Sequence, residues 1–447
     1  MTKTPIPRLV LALSVPSVIS MLVTNIYNLV DTAFVGRLGT SASGAVGVVF
    51  GFMAVIQAFG FCFGQGAGSI LSRALGAKDR ERASAFASAG FFASLLCGVL
   101  IGVIGFVWLD GIVTLLGSTA TIAPFAKTYI FYILLSAPFL CSGFTLNNLL
   151  RYEGRAYLGM IGLMVGAALN IAGDPVLMFS CGMGIAGAGL STALSQLVSW
   201  GVLLFMFLSG RTETRLSLKK ALHGAPKMIG NIVATGFPSL LRQGLNSLTT
   251  VLLNSHCAVY GDAAVAAMSI VSRVVFFAFS VALGIGQGFQ PVAAFNYGAK
   301  RFDRLRRGFY FTCAAAEGFI IVACTLLILF SGSLIGLFRD DSQVIEIGTR
   351  ALRLQALATL LLPPCMAVEM LMQSTGQRFG ASFISSLRSG LLFVPLLPLL
   401  ANLRGLEGIQ EAQPIALVLS FPITMLFAVR FFKKLKRTEN ETPVETD

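Results

Sequence analysis

The sequence predicts an all-α integral membrane protein of twelve transmembrane helices. They form two six-helix lobes related by a pseudo-two-fold axis along the membrane normal. Three observations predict this. The chain is 55% hydrophobic and only 12% charged, where a soluble domain carries about a quarter charged residues, so lipid must be the solvent for most of it. Apolar stretches of the ~20 residues needed to cross a bilayer recur from end to end. The first half of the pattern also returns in the second at a constant offset of 222 residues, Gly64 to Gly286.

In chain order the spans fall near 9–34, 44–72, 83–108, 120–150, 158–179 and 187–208, then 229–258, 263–295, 308–330, 344–372, 379–400 and 414–432. The first follows MTKTPIPR, and its prolines and its merger into a full-length span argue against a cleaved leader. Bursts of Lys and Arg separate alternate spans. Arg73, Lys78, Arg80 and Arg82 follow span 2, Arg151 and Arg155 follow span 4, and Arg211, Arg215, Lys219, Lys220 and Lys227 follow span 6. Lys300, Arg301, Arg304, Arg306 and Arg307 follow span 8, Arg378 follows span 10, and Arg430, Lys433, Lys434, Lys436 and Arg437 close span 12. The opposite loops hold only Arg37, Lys127, Arg339 and Arg404. By the positive-inside rule, both termini of this multi-pass chain are cytoplasmic, in the cell inner membrane. The same distribution explains the net charge of +13 as topology, so no nucleic-acid partner is expected.

The repeat defines the halves. Gly64-Gln65-Gly66 returns as Gly286-Gln287-Gly288, and Gly76-Ala77-Lys78 as Gly298-Ala299-Lys300. The offset also pairs Pro16-Ser17 with Pro238-Ser239, Gly39 with Gly261, Arg82 with Arg304 and Gly154 with Gly376. An even number of spans per half inserts both copies in the same orientation, and a substrate is then held between them near the midplane. The expected domains are an N-lobe at 1–210, a basic cytoplasmic linker at 211–228, a C-lobe at 229–432 and a tail at 433–447 whose acidic end, 438–447, is disordered.

Polar residues at bilayer depth cost free energy and mark function or structure. On span 1, Ser17, Ser20, Thr24, Asn28 and Asp31 share one helical face. Span 5 places Asn170 and Asp174 one turn apart, followed by Pro175, which weakens the local ladder. Thr192 comes shortly after the outer start of span 6. Three helices therefore bring two carboxylates, an amide and a hydroxyl to similar depth. All-oxygen ligation suits a hard cation, and two close carboxylates suit a proton. A buried hydrogen-bond cluster with no ion is the structural alternative. The eight cysteines lie singly in apolar runs, as packing residues do, and His223 and His256 are too separate for a metal site. No cofactor is expected beyond a bound Na+ or H+.

At these residues the chain resembles the multidrug and toxic compound extrusion (MATE) family, within the superfamily that also holds polysaccharide and lipid flippases. NLVDTAFVGRLG at 28–39, LRYEGR at 150–155, LNIAGDP at 169–175, the repeated GQG and GAK, and the six-plus-six layout carry the resemblance over essentially the whole chain. It implies secondary active efflux of cationic or aromatic small molecules by cation antiport through a V-shaped cleft. The family's N-lobe cation positions fall on Asp31, Asn170, Asp174 and Thr192, and all four match. In the second half, Leu253 stands where Asp31 would repeat, and beyond its outermost turn span 10 carries Glu369 as its only acid, so no second-lobe cation site is expected.

Weaker readings complete the set. Tyr27, Asn28, Met53, Gln57, Gln243, Asn246, Met268, Phe276 and Glu369 are candidate cleft residues, although each alone is more often packing. Glu317 and Arg388 share a depth and are expected to pair, and Arg242 and Arg273 line the cleft or serve structure. A flippase for a lipid-linked substrate is the alternative transport reading and would need a basic cleft. An enzyme would need a metal motif or a nucleophile–base pair, and HExxH, GxSxG and paired histidines are all absent from the sequence. A monomer is expected.

Overall fold

In a bilayer every backbone N–H and C=O must be satisfied within the protein, so so apolar a chain folds as helix. The computed structural model describes residues 4–222 and 224–441 and shows no strand among them. His223 and residues 442–447, the end of the expected tail, lie outside the described residues.

The first three spans are α1 (Ile6–Gly36), α2 (Thr40–Gly76) and α3 (Arg80–Val107). A short α4 (Leu109–Leu115) precedes α5 (Ala123–Tyr152), α6 (Ala156–Pro175) and α7 (Ile185–Leu208), the fourth to sixth spans. The linker forms α8 (Leu218–Leu222). Spans seven to nine are α9 (Ala225–Ala258), α10 (Asp262–Gly298) and α11 (Phe302–Leu329), followed by a short α12 (Ser331–Phe338). Span ten comes in two pieces, α13 (Ser342–Thr359) and α14 (Leu362–Ser374), bent by 50°. Pro363 and Pro364 open α14 and offer no N–H to continue the ladder of α13. Span eleven is α15 (Arg378–Ser386), a π-helical stretch Leu387–Leu392 and α16 (Phe393–Arg404). Span twelve, α17 (Leu406–Glu441), starts earlier than 414 and carries helix to residue 441, so 438–441 are helical where disorder was expected.

Among the described residues, ten helices are long and apolar enough to cross a membrane, eleven if the bent pair counts as one span. α9, at 34 residues, is the expected seventh span and completes the twelve. It falls outside that set because it carries Asn231, Arg242, Gln243, Asn246, Asn254 and His256. The protein is thus an all-α, multi-pass membrane protein.

The sequence repeat is also a backbone repeat. Lys78 (φ 63) and Lys300 (φ 56) are the two non-glycine residues with positive φ among the described residues. Each closes its helix in the same way. Asp79 N–H donates to Ala74 O at 2.9 Å, and Arg301 N–H to Asn296 O at 2.9 Å, the six-to-one bond that satisfies an orphan helix carbonyl. Gly154 (φ 85) and Gly376 (φ 81) form the equivalent turn one motif later.

By contacts the chain divides into one unit of residues 15–243 and another of residues 1–14 with 244–447. The division falls inside α9, not at the linker. In the first unit α2 and α5 pack together, α5 against α7, α6 against α7, and α8 against α3. Its core holds Val49, Ile56, Tyr129, Ile133 and Met178. Lipid tails are as apolar as the helices, so close fit holds them together. A Cβ at Gly66 would lie 2.1 Å from the Ile232 carbonyl oxygen. In the second unit, Leu253, Val271, Leu352 and Phe393 form the core between α9, α10, α13 and α16.

Candidate functional site

The four oxygen-bearing residues singled out by the sequence come together in the first unit. α1 brings Asp31, α6 brings Asn170 and Asp174, and α7 brings Thr192. All are buried, Asp174 completely and Asp31 to 3% exposure. The local sequence prepares this. Pro175 lacks an N–H, so the α-ladder loosens directly after Asp174 and the chain continues as a π-turn over Val176–Ser180.

Asn170 is the hub. Its Nδ2 donates toward Asp174 Oδ1 at 3.3 Å, Thr192 Oγ1 at 3.3 Å and Ser191 Oγ at 3.5 Å. One NH2 has two hydrogens for three acceptors, and the long distances reflect that sharing. Ser191 Oγ in turn donates to the Asn170 carbonyl at 3.3 Å. Asp31 faces Asp174 and the Tyr129 phenol, and Tyr129 also faces Thr192. Tyr27, one turn before Asp31, reaches Gln196. Asp31 Oδ1, Asp174 Oδ2, Asn170 Oδ1 and Tyr129 Oη are buried with no well-formed hydrogen bond. Three of these four are pure acceptors when the acids are ionised, so the site as built calls for positive charge or protons. Among the described residues no group of three or more His, Cys, Asp or Glu could hold a metal ion. Two carboxylates with an amide oxygen and hydroxyls fit a proton or a single monovalent cation, handled as cargo.

Tyr129, Ser191 and Gln196 belong to this cluster and were missed in the sequence. Ser191 and Gln196 lie beside Thr192 on the face Ser191, Thr192, Ser195, Gln196, Ser199, which helical spacing alone could have revealed. Tyr129 has no such neighbours on α5.

The nine cleft candidates do not form one cluster. Tyr27 joins the carboxylate site. Asn28, Gln57 and Gln243 are half-buried elsewhere in the first unit. Met53 and Met268 are corrections, since both are core residues at 3% exposure, packed among apolar side chains of their own units. A flexible thioether fills such gaps well. In the second unit Asn246 Oδ1 accepts from Ser389 Oγ at 3.2 Å, and buried Glu369 Oε1 accepts from Ser385 Oγ at 2.7 Å. Phe276 is half exposed and packs beside Phe279.

Glu317 and Arg388 do not pair. The Arg388 guanidinium lies over the Phe279 ring at 5.8 Å, and Glu317 Oε2 is buried with no hydrogen-bond partner. Shared depth did not imply a shared face. Arg242 is buried beside Arg151, whereas Arg273 is exposed. All eight cysteines are free.

Comparison with known proteins identifies the family. Curated relatives from two Staphylococcus species carry the name multidrug export protein MepA. That of Staphylococcus haemolyticus is 29% identical over 397 residues, covering 89% of this chain and 87% of its own. That of Staphylococcus aureus is 28% identical over 409 residues, covering 91% and 90%. A crystal structure of a MATE protein in a bent conformation matches at TM-score 0.91 and 25% identity over 98% of both chains. An outward-facing multidrug resistance MATE family transporter matches in fold at TM-score 0.91, with 24% identity, over 97% of this chain and 98% of the other. The MatE family model matches twice, at residues 16–176 and 238–399. Its two starts are separated by the same 222 residues as the internal repeat, and with most of the chain covered, the protein belongs to the MatE family of membrane transporters.

Proposed function

We propose that this protein exports drug-like small molecules, cationic or aromatic, by antiport against an inward flow of H+ or Na+. It works as a monomer in the cytoplasmic (inner) membrane with both termini in the cytoplasm, and its two halves, 1–210 and 229–432, alternate access. The name of the MepA relatives, multidrug export protein, supports drug-like small molecules as the cargo. The observation that carries the coupling is the convergence of Asp31, Asn170, Asp174 and Thr192 with buried, unpartnered oxygens.

The driving force is adequate. One cation moving inward with about 100 mV and a tenfold gradient supplies roughly 2.3 plus 1.4 kcal/mol, enough to hold a neutral solute at several hundred-fold. Cation binding cancels buried negative charge, and the fold then favours whichever packing of α1 had been held off by that charge.

The test is transport in proteoliposomes with proton and sodium gradients imposed independently. Asp31→Asn and Asp174→Asn keep size and hydrogen-bonding reach but lose the charge, and each abolishes gradient-driven ethidium efflux while leaving the purified protein monodisperse. Normal concentrative efflux by either variant would sink the coupling role.

A further inference from the structure

A small cavity lies beside Asn170, which bonds Asp174, and beside Thr192, and extends toward the linker. On α7 the polar stripe continues from Thr192 to Ser195, Gln196 and Ser199, and α1 contributes Thr24 and Tyr27. α1 runs away from the N-terminus and α7 runs back toward the linker. Thr24 therefore lies about 10 Å nearer that end than Asp31, and Ser199 about 10 Å nearer than Thr192. α6 agrees, for Leu163, Gly166 and Ala167 line the cavity on the same side of Asn170. The space amounts to about 20 Å³, room for a single water.

Its chemistry suits that occupant. Thr24 Oγ1 donates to Ser20 O at 2.8 Å, Ser195 Oγ to Ser191 O at 2.7 Å, and Ser199 Oγ to Gly162 O at 2.9 Å. Each hydroxyl proton is thus committed to a carbonyl, which leaves the oxygen lone pairs as acceptors. No Asp, Glu, Lys, Arg or His lines the cavity. The titratable groups around it are Asp31, Asp174, Tyr27 and Tyr129, from α1, α5 and α6. Neutral oxygens around one water offer a metal cation little in exchange for its hydration shell, whereas a proton needs only a chain of oxygens.

Beyond Ser199 the path is shut. A Cβ at Gly166 would stand 2.9 Å from Ser199 Cβ, and one at Gly162 2.5 Å from Leu203 Cδ2, so α6 and α7 touch there. Leu203 is 1% exposed.

We propose that this cavity is the proton exit of the transporter: a water held by Tyr27, Gln196 and Ser199 relays the proton from the Asp31–Asp174 pair toward the linker side, and Leu203 closes the route. The inference rests on the coupling role of those acids. The carboxyl oxygen loses its proton and regains its charge, and the water binds that proton and passes one of its own to the next oxygen. Only O–H bonds form and break, with one proton in and one out.

The test uses purified full-length protein in liposomes loaded with a pH-sensitive dye, with proton uptake driven by a valinomycin-clamped potassium potential and no export substrate. Leu203→Ala raises proton flux about tenfold over wild type, and adding Asp31→Asn or Ser199→Val to it returns flux to the wild-type level. Ser199→Thr, nearly isosteric with Val but keeping the hydroxyl, leaves the leak in place. No leak from Leu203→Ala, or equal leaks from the Thr and Val combinations, overturns the exit. Where Leu203→Ala does not reconstitute, the Thr and Val variants of an otherwise wild-type chain decide by pH-driven ethidium efflux, with Val slower about tenfold and equal rates overturning the proposal. Efflux driven by sodium at equal pH would overturn the choice of proton. If Asp31→Asn abolishes efflux but Leu203→Ala does not leak, the exit fails alone; if Asp31→Asn transports normally, the coupling reading itself has failed.

Discussion

Glu153 and Thr214 are joined across 61 residues of chain: Glu153 Oε1 accepts the Thr214 backbone N–H at 3.1 Å and also the Thr214 hydroxyl. Glu153 Oε2 accepts the Glu213 N–H at 3.0 Å, and Ser88 Oγ accepts the Ser217 N–H at 3.0 Å. Arg80 and Arg155 reach Glu213 at 3.1 and 4.0 Å. The start of the linker is thereby built into the first unit. The offset of 222 places Thr375 opposite Glu153, so only the first half carries this acid.

Burial pushes the Glu153 carboxyl above its ordinary value, against the smaller opposing pull of Thr214, Glu213 and Arg155. The folded chain therefore keeps this proton to a higher pH than the unfolded chain. The stability contributed is complete below the ordinary carboxylate value and is lost as pH rises through the raised one. Melting in detergent should show the wild type's lead over Glu153→Gln greatest near pH ~4 and shrinking toward pH ~7. A lead that grows with pH contradicts the assignment. Glu153→Ala, which removes three hydrogen bonds, should cost about 1–3 kcal/mol and expose Arg211 and Arg215 to trypsin.

Close packing of α2 on α9 makes a second prediction. A Cβ at Gly236 would fall 1.8 Å from the Cys62 carbonyl oxygen, whereas nothing lies within 4 Å of one at Gly230. Gly236→Ala should destabilise by about 1–3 kcal/mol or more, because the clash is with backbone and cannot be relieved by a rotamer. Gly230→Ala should melt at or slightly above wild type. Equal melting of the two variants would show that α9 does not sit this close to α2.

The halves should differ in coupling. Leu253, where the repeat would place an acid, is an apolar core residue at 2% exposure, and Glu369 is tied to Ser385. Glu369→Gln should therefore slow gradient-driven ethidium efflux less than Asp31→Asn or Asp174→Asn at equal membrane expression. Asn170→Leu should act like the carboxylate variants, because it removes the donor shared by Asp174 and Thr192. A larger loss from Glu369→Gln than from both N-half acids would move coupling to the second half.

Topology is the simplest prediction to check. In a chain with its native cysteines blocked or replaced, Cys introduced at Lys219 or Lys436 should react with an impermeant maleimide only from the cytoplasmic side. Cys at Gly184 or Glu407 should react only from outside. The opposite result for either pair would reverse the orientation read from the basic loops.

The sequence by itself determined the helices, their number, the repeat, and the positions of Asp31, Asn170, Asp174 and Thr192 along their helices. These are one-dimensional properties: apolar run length fixes a span, loop charge its direction, and position along the helix its depth. Position along the helix sufficed for the four site residues because Asp31 of span 1 faces Asp174 of span 5, and spans 5 and 6 pack together. Where azimuth or partner choice mattered, only the tertiary structure decided. It put Tyr129 and Gln196 against the carboxylates, sank Met53 and Met268 into cores, set Glu317 apart from Arg388 and fastened residues 213–217 to Glu153 and Ser88. The physical reason is that two residues at one depth on neighbouring helices can face each other, lipid or a third helix. Which of these occurs is set by side-chain fit among all the helices at once, and the periodicity of any one helix does not contain that information.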